Sequence, residues 1–307
     1  MVPGTPLSVV PHDALPAAAP APSVASAASA APAAPASSAP SAASSALVGD
    51  YRRLLELCPV LELRLLGAGE PAPSSADGWY SGAEIAADER ALAAVLAGEE
   101  ARIAAEHGRA PRPHVTASRL LHHYVWSACL IVAGPWHLSR RVPVVDPGDL
   151  WLHAPTGALA LRPRGHVTLP GDDELRAELR AAVVAHVGPV LAAFARPARR
   201  HDRALWGMVT DDLASALWYL GRMLGAADAT GAAAEEDAAV AAAGAVLPGG
   251  TQPLPGAADF RRLHTPDGRA HHTRTRLGCC LYYAVKPEAP ACLTCPRISD
   301  EERLQRL

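Results

Sequence analysis

An α+β fold, predominantly helical, a single domain with one small antiparallel β element, is what the sequence predicts, and three observations lead to it. Long segments repeat apolar residues at helical spacing, most clearly Leu205, Val209, Leu213, Leu217, Leu220 and Leu224, with Trp206 and Trp218 alongside. A shorter segment alternates on both sides of a Pro155-Thr156-Gly157 turn. The strand–helix–strand repetition of a parallel sheet does not occur.

The elements follow in order. Residues 1–46 run in Pro, Ala and Ser with Asp13 as their only charged side chain, so they lack the large apolar groups that offset the entropy of ordering. They are expected to form a disordered leader, with ordered structure starting near Leu47. Val60 to Leu66 alternates apolar and charged residues like a short strand. A helix is expected from about Ser81 to His107, and a second from about Thr116 to Ala133, stopped by Gly134-Pro135. Asp149 to His153 and Ala158 to Arg162 form the arms of a hairpin that buries one face. Three further helices run from about Asp172 to Phe194, broken at Gly188-Pro189, from about Asp202 to Leu224, and from about Ala232 to Val246.

Composition removes several classes of function. Half of the 307 residues count as hydrophobic, but much of that share is alanine, which buries little area per residue. Of 28 basic residues only Lys286 is a lysine, and the net charge is −3, so no global positive field favours nucleic acid. No basic start with an unbroken apolar run marks a secretory signal, and the best apolar segment, Tyr124 to Trp136, is too short to span a bilayer. The chain reads as cytoplasmic, without a membrane span, though peripheral contact at the inner face of the membrane stays open. Phosphate-binding loops, dinucleotide fingerprints, GxSxG elbows and HExxH pairs do not occur, and Gly249-Gly250 specifies a turn only. His122 and His123 point about 100° apart on a helix and cannot chelate one ion by themselves. One is expected inward and one outward. Cys58 and Cys129 lie in apolar runs and read as buried, inert thiols.

The remaining four of six cysteines crowd into the last 29 residues as Cys279-Cys280, then Cys292-Leu293-Thr294-Cys295-Pro296. In a chain without a secretion signal such an array points to metal ligation before disulfides. Structural zinc takes four ligands on a tetrahedron, usually from two separated knuckles, and adjacent cysteines diverge too far to fit that easily. A [2Fe–2S] cluster is a longer object that divergent ligands can still reach. Iron–sulfur therefore fits better than zinc.

The run Arg276-Leu277-Gly278-Cys279-Cys280-Leu281-Tyr282-Tyr283 with Cys292-Leu293-Thr294-Cys295-Pro296 resembles the iron–sulfur terminus of the FhuF-type ferric siderophore reductases. The stretch between the cysteine pairs is one residue longer here, an insertion that falls in the Val285 to Pro290 loop. Upstream, Trp206-Gly207-Met208-Val209 and Ser215-Ala216-Leu217 resemble that family's central helix in character. The resemblance implies a helical domain over residues 47–270, with a [2Fe–2S]-binding segment over residues 271–307 packed on it. It implies Cys279, Cys280, Cys292 and Cys295 as cluster ligands, and it leaves the catalytic residues unknown. The activity implied is one-electron reduction of a ferric siderophore, with a hydroxamate chelate as a suitable substrate and a ferredoxin or a reductase as electron donor. An iron–sulfur electron carrier or redox sensor, or a zinc-stabilised binding module, is the alternative. Arg261, Arg262, Arg269, Arg274 and Arg276, with His264, His271 and His272, form the most basic stretch of the chain. It reads as a solvated loop, a tuner of the cluster or a docking face for an anionic partner. Tyr282, Tyr283 and the tryptophans are expected in aromatic packing before any substrate pocket.

Overall fold

The computed structural model describes residues 42–227, 231–286 and 291–306. The expected leader lies outside the described residues through residue 41, as do residues 287–290 of the loop between the cysteine pairs. Helix α1 (Ala42–Leu57) begins inside the last residues assigned to that leader. Its Leu47, Tyr51 and Leu54 are fully buried, so tertiary packing draws the alanine-rich turn ahead of them into a helix. Strand β1 is shorter than expected, at Leu63–Leu65, and β2 is Trp79–Ser81.

The long helix expected after Ser81 is two helices, α2 (Gly82–Ala87) and α3 (Glu89–His107). Ser81 and Glu84 cap α2 reciprocally, and extended Asp88 then starts α3 by accepting from the Arg90 N–H. Helix α4 (Pro113–Ser139) passes through Pro135 instead of stopping there. From Val115 to Pro135 every residue but His123 is buried, as suits a central core helix. Gly134 serves packing rather than termination, because a Cβ there would lie 2.7 Å from Leu54 Cδ2 on α1.

Strands β3 (Val142–Val144), β4 (Leu150–His153), β5 (Leu159–Leu161) and β6 (Gly165–Val167) follow. The expected hairpin is β4–β5, with Leu150 opposite Leu161 and Leu152 opposite Leu159. It belongs to a four-stranded sheet ordered β1-β5-β4-β2, in which β1 and β5 are parallel, while β3 pairs with β6 separately. Both hairpin faces are covered. Leu150, Leu152, Leu159 and Leu161 enter the main core, and Trp151 and Ala160 pack beneath Leu66 and Trp79 on the other side.

Helix α5 (Asp172–Ala198) runs unbroken through Gly188-Pro189. By length and composition alone it is the one helix among the described residues able to cross a membrane. One face, from Leu175 and Leu179 through Val183, Val187 and Val190 to Phe194, is instead buried in the protein core. Helices α6 (Asp202–Ala227) and α7 (Ala232–Val246) stand where the apolar spacing puts them. They approach closely at Gly221, where a Cβ would lie 2.2 Å from that of Ala239. The basic stretch forms a hairpin, β7 (Phe260–His264) with β8 (Ala270–Arg274), around Thr265-Pro266-Asp267-Gly268. Short helices α8 (Tyr282–Val285) and α9 (Asp300–Leu304) flank the second cysteine pair.

His186 on α5 is fully buried between the Val145 carbonyl, 3.0 Å from Nδ1, and the Tyr124 hydroxyl, 3.1 Å from Nε2. The carbonyl can only accept, so Nδ1 carries the proton and Nε2 accepts from Tyr124. Burial holds the ring neutral and lowers its pKa to about 4. The unfolded chain therefore binds this proton first, and the stability His186 contributes is complete above pH 6.5 and is lost as pH falls towards 4, by on the order of 3 kcal/mol. In urea titrations the stability gap between wild type and His186→Gln should narrow over that window. A constant gap would contradict the assignment.

Candidate functional site

The site begins with two adjacent acids in the middle of α6. Asp211 and Asp212 are fully buried, about two and a half turns into the helix, among residues that otherwise fill the core. Isolated carboxylates cannot remain ionised there unless cations follow them in. Arg274, at the end of β8, donates from Nη2 to Asp211 Oδ1 at 2.6 Å and from Nε to the Ala258 carbonyl at 2.9 Å. Arg276 donates from Nη2 to Asp212 Oδ1 at 2.7 Å. His122 on α4 places Nδ1 2.9 Å from Asp212 Oδ2. Burial opposes ionisation of Asp212, yet His122 and Arg276 hold its carboxyl below the usual carboxylate range.

The same carboxylates position the chain that leads into the first cysteine pair. Asp211 Oδ1 accepts the Leu277 N–H at 2.9 Å, and Oδ2 accepts the Gly278 N–H at 3.0 Å. Arg276 N–H donates to the Thr294 carbonyl at 3.0 Å, which joins the two cysteine loops through the backbone. Cys295 N–H closes the second turn on the Cys292 carbonyl at 2.9 Å. Arg303 on α9, itself buried, donates to the carbonyls of Leu293 and Cys295, each at 2.7 Å. Asp300 holds Arg303 and also receives Arg261 from β7.

The four cysteines of the C-terminal array come together. Cys280 and Cys295 are buried, and Cys279 and Cys292 are half-buried. Cys292 shares thiol hydrogen bonds with both Cys280 and Cys295. Its single proton is shared between the two neighbours, so Cys292 is held protonated while Cys280 is pushed well below the ordinary thiol value and Cys295 to about 6. Arg119, Arg276 and His122 add to the effect on Cys280. Cys279 stands apart, its pKa raised by burial, and its sulfur accepts the Leu281 N–H at 3.5 Å. Leu281 adopts φ 62°, a left-handed turn that separates the adjacent thiols.

This donor set meets the requirements of an iron–sulfur group. Thiolates are the binding form, and the guanidinium groups favour it before any metal arrives. Cys58 and Cys129 are both fully buried, and desolvation raises Cys58 to about 12 and Cys129 well above its ordinary value. They are inert thiols.

Residues 276–297 match the model of the FhuF 2Fe-2S C-terminal domain. This segment is similar to the iron–sulfur domain of FhuF-type proteins. All four clustered cysteines fall inside the match, which covers only this segment of the chain. No curated protein matches the chain.

Around the FhuF-type segment several expectations change. The basic stretch divides: Arg274 and Arg276 are buried on carboxylates, while Arg262, His264 and Arg269 stay exposed on the hairpin. Arg274 and Arg276 take Asp211 and Asp212, Arg261 takes Asp300, Arg262 takes Asp237, and Arg269 takes Asp267. His122 and His123 do not separate simply into one inward and one outward ring. His122 is buried on Asp212, and His123, largely enclosed, places Nε2 2.8 Å from the Gly157 carbonyl. Tyr282 lies beneath Arg119 at 5.5 Å and lines a shallow cleft with Glu99, Arg102, Glu106 and His107. Tyr283 stays 41 % exposed, with Arg297 stacked 3.9 Å from its ring centre. Sequence reasoning missed Asp211 and Asp212, although two adjacent acids inside an apolar helix face are a readable signal. It also missed Arg303 and Arg200, whose partners are backbone carbonyls.

Asp211→Asn would leave the fully buried Arg274 without its counter-charge. A buried charge stripped of its partner costs about 3–5 kcal/mol, so the variant should unfold at clearly lower urea than wild type. A loss under about 1 kcal/mol would mean that the pair is not buried as described. Arg303→Leu should loosen the second cysteine turn and lower the iron bound per chain, read by metal analysis, with a smaller change in urea midpoint than Asp211→Asn.

Proposed function

We propose that the chain is a [2Fe–2S] protein that reduces ferric siderophores by one-electron transfer, releasing ferrous iron in the cytoplasm. The observation that carries this reading is the convergence of four thiols, inside a FhuF-type segment, on a wall of buried guanidinium groups. Cys279, Cys280, Cys292 and Cys295 would hold the cluster. A bound [2Fe–2S] cluster supplies storage for a single electron. The rest of the work falls to side chains of the protein.

Arg276 faces Cys280 and Cys292, and burial, which disfavours its charge, is overcome by Asp212, Asp211 and then those two cysteines. Arg200 donates to the Cys279 carbonyl at 2.6 Å and feels the charge of Cys279 and Cys280. Positive groups so placed favour the more negative, reduced state. Burial of Cys280 and Cys295 keeps water from one side, while the half-buried Cys279 and Cys292 face the side from which a partner can approach. The substrate needs no acid or base. Siderophores present hard oxygen donors that prefer ferric iron, and one electron removes that preference. A hydroxamate chelate suits this chemistry, and a ferredoxin or a reductase suits the role of donor.

Protein purified without oxygen should be reddish-brown, with about two irons and two sulfides per chain, and should bleach on reduction. Cys292→Ser should abolish the colour, and Cys129→Ser should keep it. Stopped-flow mixing of the reduced protein with a ferric hydroxamate should restore the oxidised spectrum as ferrous iron is released. A stable reduced spectrum would make the chain a carrier or sensor instead, and a colourless, zinc-containing protein would end the iron–sulfur reading. Arg119→Gln should lower the midpoint potential in a redox titration, because it removes a cation that acts on Cys280.

A further inference from the structure

The arginines around the cysteine loops fall into two groups. Arg261, Arg274, Arg276 and Arg303 are matched by Asp300, Asp211 and Asp212. Arg109, Arg200, Arg297 and Arg306 have no carboxylate partner among the described residues. Arg109 donates to the Ala284 carbonyl at 3.4 Å, Arg200 to the Cys279 carbonyl at 2.6 Å, and Arg306 to the Ala291 carbonyl at 2.6 Å. Arg297 stacks on Tyr283. These four come from the loop after α3, the turn between α5 and α6, the residues after the second cysteine turn, and the end of α9. The acids of α9 offset little of this charge, since Asp300 is shared by two other arginines and Glu302 caps its own helix at Ser299. Glu301 remains exposed there.

An apolar centre lies among these cations. Leu277 is 50 % exposed and Tyr283 41 %, two of the three large hydrophobic residues so exposed among the described residues. Leu277 and Tyr283 flank the first cysteine pair in the chain. A side chain on Gly278 would lie 3.6 Å from Arg200 Nη1, and Arg297 acts electrostatically on both Cys279 and Cys295.

We infer that this face, with Leu277 and Tyr283 set among Arg109, Arg200, Arg297 and Arg306, docks an acidic one-electron carrier protein beside Cys279. The inference rests on the function proposed above and names the place where the electron enters. Charge complementarity selects an acidic partner, and exposed apolar side chains beside arginines are the composition of a protein interface. Three of the four guanidiniums are already fixed on carbonyls, so docking costs less side-chain entropy. A small chelate would favour a concave site, and the cleft beside Tyr282 carries Glu99 and Glu106 as well as its cations. In the transfer the carrier is oxidised by one electron and this chain is reduced by one, with no bond made or broken.

The test is binding of the full chain to an acidic plant-type ferredoxin, measured by calorimetry at several salt concentrations. Wild type should bind at low salt and weaken by roughly tenfold or more on reaching physiological ionic strength. The double variant Arg109→Glu, Arg306→Glu should bind at least about tenfold more weakly with a flatter salt dependence, and its thermal melt should not change. Arg53→Glu on α1 should bind as wild type does. No binding at low salt, or equal binding by the double variant, overturns the inference. If the double variant loses affinity for a ferric hydroxamate but not for ferredoxin, the face belongs to the chelate. The docking inference then fails while the reductase reading stands.

Discussion

Two carboxylates that no water reaches organise this protein. Asp211 and Asp212 sit inside α6, and their ionisation obliges Arg274, Arg276 and His122 to enter the core with them. Each oxygen is used. Asp211 serves a guanidinium and two backbone N–H groups, and Asp212 serves a guanidinium and an imidazole. Buried ion pairs of this kind add little net stability over apolar packing of equal volume, but they tolerate almost no misplacement. What they provide here is position. A segment with few apolar side chains of its own, Arg274 to Cys280, is held against the helical core by charge and backbone hydrogen bonds.

The second cysteine pair is secured differently. Its turn is too short and polar to make a core, so α9 supplies one. Arg303 reaches back to two carbonyls of the turn, Asp300 holds Arg303, and Arg261 ties Asp300 to the β7–β8 hairpin. The hairpin thus links both cysteine loops, through Arg274 at one end and Arg261 at the other. Removing the residues after Cys295 would spare every cysteine and still dissolve half of the site's support.

The helices were legible in the sequence because their signal is periodic. The face of α6 from Leu205 to Leu220 and the bounds of α7 follow directly from spacing. Proline and glycine misled in α4 and α5, where burial against neighbouring helices outweighs the hydrogen bond that Pro135 or Pro189 removes. The β7–β8 hairpin was hidden for another reason. Its strands are rich in Arg and His, which pair with acids far away in the chain, so no alternation marks a buried face. The cysteines were readable because four thiols at short spacing have few other uses. Arg303 and Arg200 were not, because a donor aimed at a carbonyl leaves no trace in the partner's identity.

The arrangement separates two tasks that one arginine might have served alone. Arg276 lies close to the cysteines, but its charge is already balanced by Asp212, so its pull on an added electron is that of a dipole more than of a free cation. The inner network therefore fixes where the thiols stand and contributes modestly to their electrostatics. Arg200 and Arg297, which lack a carboxylate among the described residues, stand at Cys279, the first on its carbonyl and the second acting on its thiol. Being nearer to solvent, they are also the cations that salt or an acidic surface would screen. An acidic partner that covered them would offset their positive charge and lower the potential of the site for as long as it stayed bound. Docking and potential are then coupled through the same side chains, and the buried aspartates keep that coupling from disturbing the geometry beneath.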